Sequence, residues 1–345
     1  MKILMAGLGS MGQRHLRNIL SILGDDTEII AYRVRKEQDV FTDQLGVEEG
    51  VELKKKYNFI SYENLDDALN EGPEAVFICN PTSLHMPVAL SAAKKGCHLF
   101  IEKPLSHNLD GIEELYSIVK ETNLITYIGF QLRFHPIVIK LKQLVKEQRV
   151  GNLLSVYMEV GEYMPGWHKW EDYRRMYASK KELGGGVVLT QIHEIDYAMD
   201  IFGLPQSVYA LGGHFSSLEI DVEDSADILM EIPCHKRLLP VYIHMDFLQR
   251  PPSRKCRVIG ENGTITMDFV SQSVTVIDTD GNEEKFDHSN FQRNDLFLNE
   301  LKHFFACIRD NDDSSVDIKT AFNGMKIVLA IKESMKQGEK VLLNF

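Results

Sequence analysis

Short apolar runs alternate with amphipathic stretches through the first third of the chain. Residues 2–6, 28–32, 74–79, 98–101 and 125–129 are apolar with almost no polar alternation. Runs of that kind read as strands buried on both faces, as in a parallel sheet. Between them, apolar residues recur every three or four positions, as in Leu16, Ile19, Leu20 and Leu23, or Ile112, Leu115, Tyr116 and Val119. That is the period of a helix with one buried face. Pro87 opens a further helix and Gly96 ends it, the positions where proline and glycine are best tolerated. A small strand near Phe59 and a helix over 65–70 follow a charged, irregular stretch, 36–56, that predicts a short helix and a mobile surface. The alternation predicts a doubly wound parallel sheet over residues 1–131.

Beyond residue 131 the pattern changes. Pro136 opens a helix to 147 carrying Ile137, Leu141, Leu144 and Val145, and 153–160 reads as a strand. An aromatic and charged loop spans 161–181, and Gly184, Gly185 and Gly186 lead into one helix ending at Gly203. Strands are predicted at 208–211, 226–232, 239–247, 256–259, 264–269 and 274–277, with closing helices near 294–309 and 318–336. Residues 132–345 are therefore expected to form an α+β domain with a large, mostly antiparallel sheet.

Composition narrows the field of functions. The 345 residues suggest two domains, and 44% hydrophobic with 26% charged residues is ordinary for a globular protein. A formal net charge of −12 argues against nucleic acid as a partner. The five cysteines are scattered and odd in number, with no C-x-x-C pair, against both a disulfide framework and a structural zinc site. No run approaches the length of a membrane span, and the apolar start is too short for a signal segment. A reducing cytoplasm is the expected location.

Gly7, Gly9 and Gly12 form G-x-G-x-x-G directly after a strand and before an amphipathic helix. That context is the one a dinucleotide fingerprint requires. Gly7 permits the turn, Gly9 lets a pyrophosphate approach the backbone, and Gly12 lets helix and strand pack closely. Ser10 and Met11 complete the turn, at a helix N-terminus suited to phosphate. At the end of the second strand, where an acid would bond a ribose, stand Arg33 and Arg35. Arg33, about 20 residues past the glycines, either accepts a 2′-phosphate, stacks on adenine or faces water; the first favours NADP(H) over NAD(H).

Two further clusters carry chemistry. The apolar strand 98–101 ends in Glu102, Lys103 and Pro104, so Lys103 stands where a parallel sheet binds ligands or else is solvated in a loop. After the triple glycine, Thr190, His193, Asp196 and Tyr197 recur on one helix face. His193 can serve as a general base with Asp196 orienting it, or the pair can be structural. No pair of histidines has metal-ligand spacing, so no metal site is expected. The loop holding Trp167 and Tyr173 suits either a sugar or a subunit contact.

These motifs together resemble the Gfo/Idh/MocA family of NAD(P)-dependent oxidoreductases. The carriers are GLGSMGQRH at the start, the loop of Asn80, Pro81, Thr82 and His85, the Glu102–Lys103–Pro104 element, and GGGVVLTQIHEID from Gly184. The resemblance spans the whole chain. It implies a Rossmann domain followed by an α+β substrate-binding domain whose open sheet face joins copies into a homodimer or homotetramer. It implies oxidation of a secondary hydroxyl on a sugar, cyclitol or nucleotide sugar, or reduction of the ketone. Lys103 and His193 match the family's catalytic lysine and histidine. Thr190 stands nearest to an aspartate that many members carry, and can hydrogen-bond a hydroxyl but cannot act as a carboxylate. Arg133 and His135 are expected in the same pocket. A non-catalytic dinucleotide-binding regulator and an NAD-using glycoside hydrolase are the alternatives on this fold. Net change in A340 with an alcohol distinguishes the dehydrogenase from both.

Overall fold

The structure, a computed structural model, describes residues 1–24, 26–34, 39–42, 46–167, 171–235 and 237–345. Arg35 lies outside the described residues, as do His168, Lys169 and Trp170 of the aromatic loop. In chain order the first elements are β1 (Lys2–Ala6), α1 (Ser10–Leu23), β2 (Glu28–Tyr32), β3 (Val40–Phe41), β4 (Val47–Glu48), α2 (Leu53–Tyr57), β5 (Ile60–Tyr62), α3 (Leu65–Asn70), β6 (Ala75–Ile78), α4 (His85–Lys94), β7 (His98–Ile101), α5 (Ile112–Thr122) and β8 (Thr126–Ile128). There follow α6 (Pro136–Lys146), β9 (Leu153–Gly161), α7 (Val187–Thr190), α8 (His193–Phe202), β10 (Ser207–Gly213), β11 (Ser225–Cys234), β12 (Arg237–Asp246), β13 (Ser253–Gly260), β14 (Gly263–Asp268), β15 (Ser273–Asp278), β16 (Glu283–Asp287), α9 (Arg293–Asp310), α10 (Ile318–Gln337) and β17 (Val341–Leu342).

The chain divides into two compact units: Met1–Gln131 with Arg293–Phe322, and Leu132–Gln292 with Asn323–Phe345. The first is built on a six-stranded parallel sheet in the order β5-β2-β1-β6-β7-β8. The order reverses between β1 and β6, and ligands of such sheets bind beyond the strand ends at that point. Parallel register places Phe77 beside Phe100 and Phe100 beside Tyr127. Their rings stack at centroid distances of 4.9 and 5.3 Å. Phe304 of α9 meets Phe77 and Phe100 edge-on, 5.7 Å from each. This burial of aromatic area explains why 293–322 packs with the first unit, whereas the sequence reading counts it with the second.

In the second unit a nine-stranded sheet runs β16-β15-β14-β13-β9-β12-β11-β10-β17. Among the described residues only β9 and β12 of this sheet pair in parallel. Period-2 alternation gives it two different faces. Val156, Met158, Ile228, Met230, Val241 and Ile243 are buried. Tyr157, Tyr209, Leu211 and Tyr242 alternate with them and remain exposed. Tyr157 and Tyr242 stack at 5.2 Å. The sequence pattern did not announce β16 or β17, one being mostly charged and the other two residues long.

The helix expected from Gly186 to Gly203 is broken. α7 ends at Thr190, Gln191 turns out of the helix (φ −98°, ψ 31°), and α8 starts afresh at His193. The Gln191 side chain donates to the Asp246 carbonyl at 3.1 Å. Thr190 and His193 therefore do not share one continuous helix face, as their spacing had predicted. His193 and Asp196 do share α8.

Candidate functional site

In the first unit, the turn after β1 needs its glycines for different reasons. Gly7 has φ +97°, and a Cβ there would lie 2.8 Å from the Asn80 nitrogen. A Cβ on Gly12 would lie 2.2 Å from the Gly7 carbonyl oxygen. Those two serve packing. Gly9 is different: a Cβ there would meet nothing within 4 Å. Protein packing does not require that glycine; it leaves open backbone at the start of α1, where a pyrophosphate can approach the free N–H groups. Ser10 and Met11 form the first turn of α1 and are half-buried. Gln13 locks the turn in place. Its amide donates to the Leu8 and Asp39 carbonyls and accepts from the Phe41 N–H.

Past β2, the Arg33 guanidinium lies over the Phe59 ring, 5.7 Å from its centroid. The Arg33 N–H donates to the Tyr62 carbonyl, fixing its backbone beside β5. Past β6 come Asn80, half-buried Pro81 and buried Thr82. His85 was expected to face a cofactor, yet it is buried, with its ring nitrogens 2.9 Å from the Pro104 carbonyl and 2.8 Å from that of Asn80. It ties the Asn80 loop to the Lys103–Pro104 loop. Burial pushes its pKa below the ordinary histidine value, against the pull of those carbonyls.

Glu102 is buried at the end of β7, and its carboxylate is 2.6 Å from Nε2 of His15. Its other oxygen accepts from the Lys103 N–H at 3.2 Å. Burial alone would raise its pKa, but the hydrogen bond and charge of His15, with Lys103 adding, outweigh burial and hold it low. Half-buried Lys103 thus sits on an anchored backbone.

Glu300 of α9 belongs to the same cluster. It is fully buried, on the helix face shared by Phe297 and Phe304. Phe297 lies against His15, and Phe304 against Phe100 and Tyr127. No basic side chain pairs with Glu300 among the described residues. Burial, reinforced by the charge of Glu102 and only partly opposed by the Tyr127 hydroxyl, pushes its pKa well above the ordinary glutamate value.

A pH dependence follows. The folded state holds the Glu300 proton after the unfolded chain has released it. The stabilisation is complete below the ordinary glutamate pKa and is lost as pH rises towards the folded value. Glu300→Gln cannot ionise and keeps it. The variant is expected to gain on wild type as pH rises from 5.5 to 7.5. Thermal melts at the two pH values measure this; a pH-independent difference would contradict it.

In the second unit, Thr190 and His193 are both buried, one on each side of the break at Gln191. The Gly185 and Gly186 approach is tight. A Cβ on Gly185 would lie 2.5 Å from the Ala178 carbonyl oxygen, and one on Gly186 2.3 Å from Glu223 Oε1. Glu194, next to His193, is fully buried and receives two hydrogen bonds from the Arg254 guanidinium, at 2.6 and 2.9 Å. Asp196 is buried and held by Arg133 through both oxygens, at 2.7 and 2.9 Å. Arg133 also reaches Asp200 at 3.2 Å.

Arg133, expected in a substrate pocket, thus braces α8. His135, expected beside it, caps α6. Its Nδ1 accepts from the Ile137 N–H, and the ring packs on Phe269 and Phe291. Burial, with the charges of Arg254 and His288, lowers its pKa to about 4, so it is neutral at pH 7. Trp167 meets Phe247 edge-to-face, 5.1 Å between centroids. The Tyr173 hydroxyl accepts from the Glu219 N–H at 3.3 Å.

The profile of an oxidoreductase family's NAD-binding Rossmann fold matches residues 1–130, and that of its C-terminal α/β domain matches 142–343. The chain belongs to the Gfo/Idh/MocA oxidoreductase family. It is 26% identical to the myo-inositol 2-dehydrogenase of Thermotoga maritima, over 99% of this chain and 98% of that one. It is 26% identical to the scyllo-inositol 2-dehydrogenase (NAD(+)) of Bacillus subtilis, over 98% and 95%. A solved levoglucosan dehydrogenase in complex with NADH superposes with a TM-score of 0.83, at 17% identity, over 100% and 99% of the two chains. That last likeness speaks for the fold.

Within this Gfo/Idh/MocA oxidoreductase, three residues escaped the sequence reading. His15 looked like an ordinary helix residue. Glu300 occupies an apolar stripe with Phe297, Leu301 and Phe304, and an acid at such a position is the signal that could have found it. Gln191 was hidden by the assumption of an unbroken helix.

Proposed function

We propose that the chain is an NAD(P)(H)-dependent dehydrogenase of a secondary hydroxyl on a sugar, cyclitol or nucleotide sugar, with NADP(H) preferred. The observation that carries this reading is the open backbone at Gly9, at the β1/β6 reversal of a Gfo/Idh/MocA oxidoreductase. Gly7, Gly9, Ser10, Met11 and Gly12 would hold the pyrophosphate. Asn80, Pro81, Thr82, Glu102 and Lys103 would flank the nicotinamide half, with His85 fixing their loops. Arg33 would take the 2′-phosphate. A nicotinamide bound there supplies the hydride acceptor, or the donor in reverse.

The chain's own residues divide the rest of the work. His193 takes the hydroxyl proton as general base. Lys103 stabilises the developing alkoxide with its positive charge. Thr190 hydrogen-bonds a substrate hydroxyl, and Trp167 and Tyr173 contact the sugar. Asp196 acts on His193 through the position of α8, which Arg133 braces. The full-length likeness to two inositol dehydrogenases supports a polyol substrate. The exposed Tyr157, Tyr209, Leu211 and Tyr242 on the outer sheet face support assembly into a homodimer or homotetramer through that face. A reducing cytoplasm fits the five free thiols.

The test is A340 turnover with NADP+ and NAD+ crossed with myo-inositol, scyllo-inositol, D-xylose and levoglucosan. Turnover of at least one polyol is expected, faster with NADP+. Arg33→Ala is expected to lower the NADP+ to NAD+ ratio of kcat/KM by about tenfold, the loss of roughly one charge-assisted contact. An unchanged ratio removes Arg33 from cofactor selection.

A further inference from the structure

Two buried polar atoms of the second unit lack partners and lie against consecutive residues of one strand end. Gln191 is buried, and its Nε2 donates to the Asp246 carbonyl. A carbonyl only accepts, so the NH2 end of the amide faces Asp246 and Oε1 is turned away from it. Oε1 is buried and has no hydrogen-bond partner among the described residues. Trp167 packs its ring edge-to-face on Phe247, the next residue. Its Nε1–H is also buried and has no hydrogen-bond partner among the described residues.

The two side chains are held by independent means. The Met164 N–H donates to the Phe247 carbonyl at 3.0 Å, and the Trp167 N–H to the Met164 carbonyl at 3.1 Å. Gln191 is fixed by its own amide and by the helix ends around it. Buried polar groups are as a rule satisfied, and each of these unmatched atoms calls for an explanation. One group is an acceptor and the other a donor, and neither is charged. That excludes a phosphate or carboxylate as the matching group and fits hydroxyls, which donate and accept. Gln191 also separates Thr190 from His193 in sequence, which places it in the segment proposed to meet substrate.

We propose that Gln191 Oε1 and Trp167 Nε1–H grip hydroxyl groups of the polyol, Gln191 accepting from one and Trp167 donating to one, and so set which sugar or cyclitol is taken. This rests on the reading of the chain as a polyol dehydrogenase. Neither residue takes part in the chemical step. Their loss acts on KM.

The experiment uses the full-length enzyme with whichever of myo-inositol, scyllo-inositol, D-xylose and levoglucosan it oxidises, and with that polyol's monodeoxyfluoro derivatives. Fluorine cannot donate a hydrogen bond. At one ring position, fluorine for hydroxyl is expected to raise the wild-type KM about tenfold, the usual cost of leaving a buried acceptor unmatched. Gln191→Met is expected to raise KM for the parent polyol about tenfold, to abolish discrimination at that position, and to leave kcat within a few-fold. Trp167→Phe keeps the ring on Phe247 and removes only the N–H; it is expected to raise KM similarly without altering discrimination at the Gln191 position.

If Gln191→Met discriminates as wild type does, or if neither variant changes KM, the inference is overturned and the dehydrogenase reading stands. If wild type oxidises no polyol, both fall together. Should Gln191→Met not fold, Trp167→Phe decides alone: an unchanged KM overturns the paired grip, and a raised KM with unchanged kcat supports it.

Discussion

Lys103→Met is expected to lower kcat on the polyol by about 10²–10³-fold, the loss seen when one preorganised stabiliser of a developing oxyanion is removed. Methionine matches the length of the lysine stem and carries no charge. The backbone beneath it is held by the Glu102 carboxylate and, through it, by His15, so the loop stays where it is. The pyrophosphate turn at Gly7–Gly12 is untouched, and NADPH affinity should stay within a few-fold. Steady-state kinetics with a fluorescence titration of NADPH separates the two effects. A folded variant that binds NADPH and turns over at the wild-type rate removes Lys103 from the mechanism.

Arg254→Met is the largest expected loss of stability. It deletes the guanidinium that donates two hydrogen bonds to the fully buried Glu194 carboxylate. Breaking such a pair from one side costs about 3–5 kcal/mol, which in a chain of this size lowers Tm by roughly 4–7 °C. The double variant Glu194→Gln with Arg254→Met should recover part of that loss, because the uncompensated charge is gone. Thermal melts of the three variants measure it. A single variant as stable as wild type would show that the ion pair contributes nothing. Glu194 is adjacent to His193, so the single variant should also lose activity at temperatures where it is still folded.

The parallel sheet was legible because its strands are uniformly apolar and its turn glycines are forced by sterics. Gly7 and Gly12 have backbone atoms within 3 Å of where a Cβ would stand. What periodicity could not show was the break at Gln191. The apolar positions of 187–202 fit one helix as well as two, and the residue at the break meets a partner, the Asp246 carbonyl, more than 50 positions away. The roles of Arg133 and His135 were hidden for a similar reason. Their partners, Asp196 and Asp200 for one and the rings of Phe269 and Phe291 for the other, lie 60 to 160 positions away in sequence. The residues proposed for chemistry, Lys103 and His193, stood out because a polar group interrupts an apolar run there. Glu300 interrupts one too, but in a helix whose tertiary neighbours the pattern does not name.

The return of α9 to the first unit sets an order of events during synthesis. The strands that bear Phe77, Phe100 and Tyr127 leave the ribosome well before Phe304 and Phe305, which meet those rings. Between Gln131 and Asp310 the whole nine-stranded sheet, except its last short strand, is translated. At about 5–20 residues per second that is a delay of roughly 10–35 s. Throughout it, the nascent first unit carries an aromatic surface, with a histidine and an acid at its edge, that has no cover of its own. The first unit is thus begun first and finished late.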